Sequence, residues 1–175
     1  MKILVISDSH GRDDRLGRVM DMHKNADALI FLGDGINDLV RADAELYGFT
    51  VYAVSGNCDG VFSFLGSKYP TELTLNLGGV RILAMHGHTR SVKSGIDGAM
   101  LAAEQKEADI LLFGHTHSPI NKYFPEGREY EYGKLSKPLY VFNPGSLQLS
   151  EDGRAHFGLI QIKDGNVLIS SGTLD

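Results

Sequence analysis

Short runs of β-branched and aliphatic residues recur along the first two thirds of the chain and predict buried strands. Each run contains few polar residues and stops abruptly at a polar cluster, which is typical of strands in a protein interior. The five runs cover residues 2–7, 28–32, 50–55, 80–85 and 109–113.

Between several of these runs, the apolar positions take the spacing of an amphipathic helix, in which residues three and four apart share a face. Three such sets occur: Leu16, Val19, Met20 and His23; Ile36, Leu39, Val40 and Tyr47; and Ile96, Ala99, Met100 and Ala103. Strands that alternate with helices favour parallel pairing, so the chain is predicted to begin with βαβ units.

The pattern changes to hairpins later in the chain. Residues 71–77 alternate and meet Val80 across Gly78-Gly79, and residues 155–163 meet 166–170 across Asp164-Gly165. Two-residue turns of this composition are typical of antiparallel hairpins. Residues 119–138 are irregular and predict a long loop or an excursion hairpin. The combination predicts a mixed α/β fold, which two packed β-sheets flanked by helices would accommodate.

The size of the chain predicts a single domain over residues 1–175, because 175 residues, 42% of them hydrophobic, allow one well-buried core and not two. The lone cysteine cannot close an intrachain disulfide and fits a reducing compartment. The longest apolar run has five residues, 28–32, whereas a bilayer span needs roughly 18. Polar residues from Ser7 onward leave no space for a secretion signal. We therefore expect a cytoplasmic protein without membrane contact.

The charge of the chain excludes one class of function. The net charge is −5, and the basic residues are dispersed. Non-specific nucleic-acid binding needs a basic patch or stripe, and the sequence shows none. An enzyme that binds phosphate through metal ions stays compatible with this charge.

A polar cluster directly follows each of the five predicted strands. The clusters are Asp8-Ser9-His10, Gly33-Asp34, Gly56-Asn57-Cys58-Asp59, His86-Gly87-His88 and Gly114-His115-Thr116-His117. Ligands of open α/β sheets bind outside the carboxyl ends of the strands, so these clusters could converge on one site. The alternative for each is ordinary turn and cap chemistry at a strand end.

The composition of these clusters favours a metal site. Imidazoles and carboxylates are costly to bring together without a cation, because neighbouring carboxylates resist ionisation and buried polar groups need partners. The candidate ligands are nitrogen and oxygen atoms, which suits Mn, Fe, Co, Ni or Zn rather than a structural zinc site of the cysteine type. Cys58 is expected to be a compact buried residue rather than a ligand.

The order of the motifs, Asp-x-His, Gly-Asp, Gly-Asn-x-Asp, His-x-His and Gly-His-x-His, resembles the calcineurin-like metallophosphoesterase superfamily, and most of all its small prokaryotic phosphodiesterase branch. The resemblance extends from residue 3 to about residue 146. It implies an αββα sandwich and two divalent transition-metal ions, manganese first, with iron, nickel, cobalt or zinc as alternatives. It also implies the ligands: Asp8, His10 and His117 for one ion; Asn57, His86 and His115 for the other; and Asp34 between them.

The resemblance further implies hydrolysis of a small phosphodiester by a hydroxide that bridges the two ions. Catalytic roles then fall on Asp34, Asn57, His86 and His115. Two ions, two carboxylates and a hydroxide leave a net positive charge facing the phosphate ester, which would attract it. As the shared ligand, Asp34 is expected to be the most damaging single residue to lose.

One position departs from the pattern of many family members, because Cys58 stands where they place a histidine that assists the leaving oxygen. The small phosphodiesterase branch shares this variant. A neutral thiol is a poor proton donor, so general-acid assistance of about 10²-fold or more is either absent or supplied by another group. We therefore expect a steep dependence of the rate on the acidity of the leaving group.

Several alternatives stay open at this point. The metal core is also compatible with a phosphomonoesterase or with a non-catalytic interaction scaffold of the same fold, and self-association into a homo-oligomer is allowed. His88 would either contact the substrate or a ligand, or cap its loop. Asp59 would either orient a ligand or cap a turn. The residues that form the pocket walls, and hence the natural substrate, are not fixed by the sequence.

Overall fold

Two five-stranded β-sheets pack face to face in the computed structural model, which describes residues 1–60 and 68–174. The strands are β1 (Lys2–Ile6), β2 (Ala28–Phe31), β3 (Thr50–Ala53), β4 (Glu72–Leu77), β5 (Val80–Met85), β6 (Ile110–Leu112), β7 (Ile120–Phe124), β8 (Glu129–Tyr130), β9 (Gly133–Lys134), β10 (Leu139–Asn143), β11 (Ala155–Lys163) and β12 (Asn166–Leu174). The helices are α1 (Asp13–Met22), α2 (Ile36–Arg41) and α3 (Asp97–Gln105), with short 3-10 turns at Ala44–Tyr47 and His88–Arg90.

The strand order combines parallel and antiparallel pairs in each sheet. The first sheet has the order β12-β11-β1-β2-β3, in which β1, β2 and β3 are parallel. The second has the order β4-β5-β6-β10-β7, in which β5, β6 and β10 are parallel. Both predicted hairpins are present as β4-β5 and β11-β12. The predicted mixed α/β fold with two packed sheets and flanking helices is confirmed.

Alternation along the central strands explains why each sheet is covered on both faces. Ile3 and Val5 of β1 pack in the layer between the sheets, whereas Leu4 and Ile6 pack against the residues of α1 and α2. In the second sheet, α3 covers the outer face. Successive side chains of a strand point to opposite faces, so a run that is apolar throughout must be buried on both sides. The result is a helix-sheet-sheet-helix arrangement.

Three details differ from the sequence-based expectations. The predicted second helix is shorter, because α2 ends at Arg41 and the backbone of Asp43 is left-handed before the 3-10 turn. Val40, expected on the apolar face, is 51% exposed. Strand β10 was not predicted, although it is the central partner of β6 and β7.

The irregular stretch 119–138 contains strand β7 and the small β8-β9 hairpin. Of the two alternatives, the excursion hairpin is confirmed. The hairpin is attached to α3 by the Tyr130 hydroxyl, which donates a hydrogen bond to the Glu104 carboxylate. None of the three helices in the described part of the chain is long and apolar enough to span a membrane.

Candidate metal centre

The loops that follow β1 and β6 bring together the first group of predicted ligands. Asp8, His10 and His117 each offer one ligand atom, and these atoms lie within 4.8 Å of one another. His117 Nε2 is 3.1 Å from Asp8 Oδ1 and 3.3 Å from His10 Nε2. We call these three residues the first trio.

The loops after β2, β3, β5 and β6 bring together the second group. Ligand atoms of Asp34, His86 and His115 also lie within 4.8 Å of one another. His86 Nε2 is 3.1 Å from His115 Nδ1 and 3.1 Å from Asn57 Oδ1. We call Asn57, His86 and His115 the second trio, and with Asp34 and the first trio they bring all seven predicted ligands into one cluster.

The carboxylate of Asp34 lies between the two trios. Its Oδ2 atom is 3.4 Å from Nε2 of His86, a member of the second trio, and 3.7 Å from Nε2 of His10, a member of the first. Asp34 is almost completely buried, at 3% exposure, so its charge is poorly solvated by water. A ligand that two ions share has to occupy this kind of position.

The hydrogen bonding of His86 indicates that the cluster needs positive charge. Nδ1 of His86 lies 2.7 Å from the carbonyl oxygen of Leu32, and because a carbonyl only accepts, Nδ1 carries a proton and donates it. The other ring nitrogen, Nε2, then faces Asn57 Oδ1, Asp34 Oδ2 and His115 Nδ1. Oxygen and nitrogen lone pairs at this point are compatible only with a shared proton or a cation. This donor set fits a divalent transition metal.

The pKa values of the clustered groups also indicate that the cluster attracts positive charge. Burial alone would raise the pKa of Asp8, but hydrogen bonds with His10 and His117 outweigh it and hold that pKa below its usual range. Asp34 is similar: burial opposes ionisation, contact with His86 favours it, and the pKa falls to about 2. The pKa of His10 is raised, mainly by Asp8, and that of His86 is raised by Asp34 in spite of burial. The two carboxylates thus stay ionised and attract positive charge.

The backbone at the ligands is strained. Five of the seven predicted ligands have a left-handed backbone, with φ between 44° and 67°: Asp8, His10, Asp34, His115 and His117. Residues other than glycine rarely adopt this conformation, and the cost is of order 1–3 kcal/mol each. Surrounding structure must therefore hold these residues in place. Such strain clusters at functional sites.

The loop that carries Asp34 passes so close to the next loop that glycine is required at two positions. A Cβ atom at Gly56 would lie 2.1 Å from Asp34 Oδ1, and one at Gly33 would lie 2.5 Å from the Gly56 nitrogen. Gly33 also has φ of 93°. These glycines permit the close approach that places Asp34 between the trios.

Asp59 is the main support of the Asp34 loop. Its buried carboxylate accepts hydrogen bonds from four backbone N–H groups, at distances of 2.8 to 2.9 Å. The donors are Asp34, Gly35, Ile36 and Gly56. Of the two alternatives for Asp59, its contacts favour the orientation of a ligand.

Two further supports were not predicted from the sequence. Asp38, on α2, accepts hydrogen bonds from the Ser9 hydroxyl at 2.5 Å and from the Gly11 N–H at 2.8 Å, and so holds the loop of the first trio. Ser146 donates to the carbonyl oxygen of Asp8 at 2.9 Å, and Asn143 donates to that of Gly114 at 3.0 Å. The Asn143-Pro144-Gly145-Ser146 segment lies within the stretch that resembles the family, so a role of these residues near the site could have been predicted. No sequence motif marks Asp38.

His88 lies beside the second trio. Its ring centroid is 5.3 Å from that of His86 and 6.2 Å from that of His115. The Nδ1 atom of His88 is buried and has no hydrogen-bond partner among the described residues. Burial, and then the charge on His86, lower the pKa of His88 and also that of His115, which falls to about 4. Both rings are therefore neutral near pH 7.

Cys58 is exposed, and the expectation of a buried position was wrong. Its backbone N–H donates to Asp34 Oδ1 at 2.7 Å, which orients the carboxylate. Burial of the sulfur itself, followed by its contact with Asp34, raises the pKa of the thiol to about 11. The residue that stands where many members of the resembled family have a histidine is therefore a thiol that does not ionise readily.

Comparison with known proteins gives a consistent result. The sequence profile of the calcineurin-like phosphoesterase superfamily domain matches residues 1–165. The probable metallophosphoesterase YsnB of Bacillus subtilis is 34% identical over 150 residues, which cover 85% of this chain and 76% of the relative. Phosphodiesterase YfcE of Escherichia coli is 27% identical over 179 residues, and the match covers 91% of this chain and 87% of the relative.

Among solved structures, a predicted phosphoesterase from Streptococcus pneumoniae superposes with a TM-score of 0.74 at 27% identity. The superposition covers 98% of this chain and 88% of the other. The similarity thus extends over nearly the whole chain.

Proposed function

This chain belongs to the calcineurin-like phosphoesterase superfamily, and from that premise we propose that it hydrolyses small phosphodiesters at a centre of two divalent metal ions. Asp8, His10 and His117 would hold one ion; Asn57, His86 and His115 would hold the other; and Asp34 would be shared. The observation that carries the proposal is the place of Asp34, whose Oδ2 lies between a histidine of each trio. Manganese is the expected metal, with iron, nickel, cobalt or zinc as alternatives.

When bound, such ions supply Lewis acidity, which lowers the pKa of a water molecule and stabilises the attacking and leaving oxygens of an in-line displacement. The role of the protein chain is to hold the ligand atoms in position. The loops after the strands hold the ligand atoms, and the hydrogen bonds that Asp59 and Asp38 accept keep those loops in their strained conformations. Because these supports exist before the substrate binds, little reorganisation is needed during the reaction.

The charges of the ligands determine what the centre attracts. Asp8 and Asp34 are the two carboxylates among the predicted ligands, whereas Asn57 and the four histidines bind as neutral groups. Two carboxylates do not neutralise two divalent ions, so the centre keeps a net positive charge. A phosphate ester is attracted to it.

The leaving oxygen receives little help from Cys58. The pKa of its thiol is raised, so the thiol is a poor proton donor to an ester oxygen. His88 is a neutral imidazole beside the second trio and offers at most a hydrogen bond. We therefore propose that the enzyme depends on the intrinsic acidity of the leaving group and hydrolyses nitrophenyl diesters far faster than alkyl diesters.

The assay that tests this proposal uses chelator-treated protein whose fold has been verified by circular dichroism. Bis(4-nitrophenyl) phosphate and 4-nitrophenyl phosphate are supplied in parallel, with Mn, Ni, Zn or Mg restored one at a time. We expect turnover of the diester with Mn and none without metal. Faster turnover of the monoester would favour a phosphomonoesterase. Folded protein without turnover under any ion would favour the scaffold alternative.

The setting of the activity is also part of the proposal. Cys58 is the lone cysteine of the chain, so no disulfide supports the fold, which is consistent with a reducing compartment. We place the enzyme in the cytoplasm, with a small phosphate ester as its substrate.

A further inference from the structure

The sulfur of Cys58 belongs to a third group of possible metal ligands. One ligand atom each of His10, Asp34 and Cys58 lie within 4.8 Å of one another. His10 belongs to the first trio, and Asp34 is the shared carboxylate. The sulfur therefore lies near two of the side chains that would hold the first ion.

The backbone contacts of Cys58 hold the residue beside Asp34. Its N–H donates to Asp34 Oδ1 at 2.7 Å, so the residue is tied to a carboxylate that is itself only 3% exposed. The side chain is exposed and has a single rotatable bond before the sulfur. Zinc-type ions bind sulfur at about 2.3 Å and imidazole nitrogen at about 2.0–2.1 Å, and these lengths suit ligand atoms grouped as closely as those of His10, Asp34 and Cys58.

Asn57 connects the sulfur to the second ion position. Its Oδ1 atom faces His86 Nε2 at 3.1 Å, and its Nδ2 donates a hydrogen bond to Cys58 Sγ at 3.2 Å. A hydrogen bond from an amide N–H stabilises a thiolate and orients it, as outer partners do for other metal ligands. The amide oxygen of Asn57 thus faces the second ion position, and its amide nitrogen donates to the sulfur beside the first.

We propose that Cys58 binds the ion at the first trio as a thiolate, and that this sulfur makes the position favour zinc or cobalt over manganese. The inference rests on the proposed metal centre. On binding, the S–H bond breaks, the proton passes to the solvent, and the sulfur electron pair forms the bond to the ion. Soft thiolate ligands select Zn over the harder Mn, for which oxygen ligands are better suited.

The chain is well suited to a direct test, because Cys58 is its lone cysteine. Any thiolate-to-metal charge-transfer band can come from this residue alone. Chelator-treated wild-type protein and Cys58→Ser are titrated with Co²⁺ and followed by absorption spectroscopy. In the wild type we expect a near-ultraviolet charge-transfer band together with visible ligand-field bands.

In Cys58→Ser the near-ultraviolet band should disappear, while the ligand-field bands remain. Isothermal titration in buffers of different ionisation enthalpy should show that the wild type releases one more proton than the variant. The ratio of zinc to manganese affinity should fall in Cys58→Ser by at least about tenfold, the lower end of what outer partners contribute. Serine is close in shape, and Cys58 is exposed, so the fold should be unaffected.

The outcomes separate this inference from the proposed function. Ligand-field bands at two equivalents of Co²⁺ without a charge-transfer band would overturn the role of Cys58 and leave the two-ion centre intact. A near-ultraviolet band that persists in Cys58→Ser would also overturn it. Protein that is folded but binds no Co²⁺ would overturn both.

Discussion

The carboxylate of Asp59 accepts a hydrogen bond of 2.8 Å from the backbone N–H of Asp34, so a residue outside the predicted ligand set fixes the predicted ligand between the two trios. Three further backbone N–H groups donate to the same carboxylate. Two oxygens that each accept two hydrogen bonds require an ionised acceptor. The conformation of the Asp34 loop therefore depends on the charge of Asp59.

Asp59→Asn should weaken metal binding without removing a ligand. The amide replaces one acceptor oxygen with a donor, which leaves at least one buried N–H unpaired. We expect the affinity for Mn²⁺ to fall about 10–100-fold, measured by isothermal titration calorimetry. The free energy of unfolding in urea should fall by about 1–3 kcal/mol. Asp21→Asn, which changes an exposed carboxylate beside Lys24, is the matched control and should alter neither quantity. Unchanged Mn²⁺ affinity in Asp59→Asn would contradict its role in positioning.

Asp34→Asn should be the most damaging single substitution. The amide is similar in shape, but it lacks the negative charge and is a poor bridge between two cations. We expect metal content, measured by mass spectrometry, to fall from two ions to one or none per chain. The kcat/KM for the nitrophenyl diester should fall by on the order of 10³-fold or more. A variant that kept both ions and lost less than about tenfold in rate would be incompatible with a shared ligand.

The close approach of two loops predicts different results for two glycines. At Gly56, a Cβ atom would lie 2.1 Å from Asp34 Oδ1, whereas at Gly60 no atom of residues 1–60 or 68–174 would lie within 4 Å. Gly56→Ala must displace Asp34, so we expect loss of diester hydrolysis and a free energy of unfolding lower by about 1–3 kcal/mol. Gly60→Ala should keep both activity and stability. If Gly56→Ala kept activity and stability as Gly60→Ala should, the Asp34 loop would tolerate displacement and this account of the loop would be wrong.

His23 provides a test of pH dependence away from the metal centre. Burial, and then the charge of Lys2, lower the pKa of His23 from its ordinary value of 6.5, and the ring packs on Phe157 with centroids 5.1 Å apart. The unfolded chain therefore binds the proton more tightly than the folded one, so His23 costs stability as the pH falls below 6.5 toward the folded pKa. His23→Phe keeps an aromatic ring and removes this loss.

Urea unfolding at pH 8 and at pH 5.5, with the wild type and His23→Phe side by side, measures the effect. We expect the variant to gain stability relative to the wild type on acidification. All other ionisable groups are the same in both proteins, so their contributions to the free energy of unfolding cancel in the difference between the two. A difference that does not change with pH would show that His23 keeps its ordinary pKa in the fold.

The sequence predicted the parts of the fold that depend on local pattern. Runs such as 28–32 are apolar at every position, and only a strand covered on both faces satisfies that pattern. The two-residue turns at Gly78-Gly79 and Asp164-Gly165 predicted both hairpins, because left-handed backbone at a turn favours these residues. The predicted ligands lay at strand ends, and parallel strands bring those ends together.

What the sequence did not predict depends on contacts between distant residues. Asp38 lies on α2 and supports the loop of His10 through Ser9 and Gly11, and nothing in its own neighbourhood marks it for this role. Cys58 was expected to be buried, as free cysteine usually is, but its loop leaves the residue exposed beside Asp34. Both errors arise because the geometry of a loop is set by its partners.

The most direct test of the central claim is an anomalous difference map from a crystal grown with Mn²⁺. We predict two peaks about 3.5–4 Å apart, one beside the first trio and one beside the second, with the Asp34 carboxylate between them. A single peak, or peaks without contact to Asp34, would contradict the account.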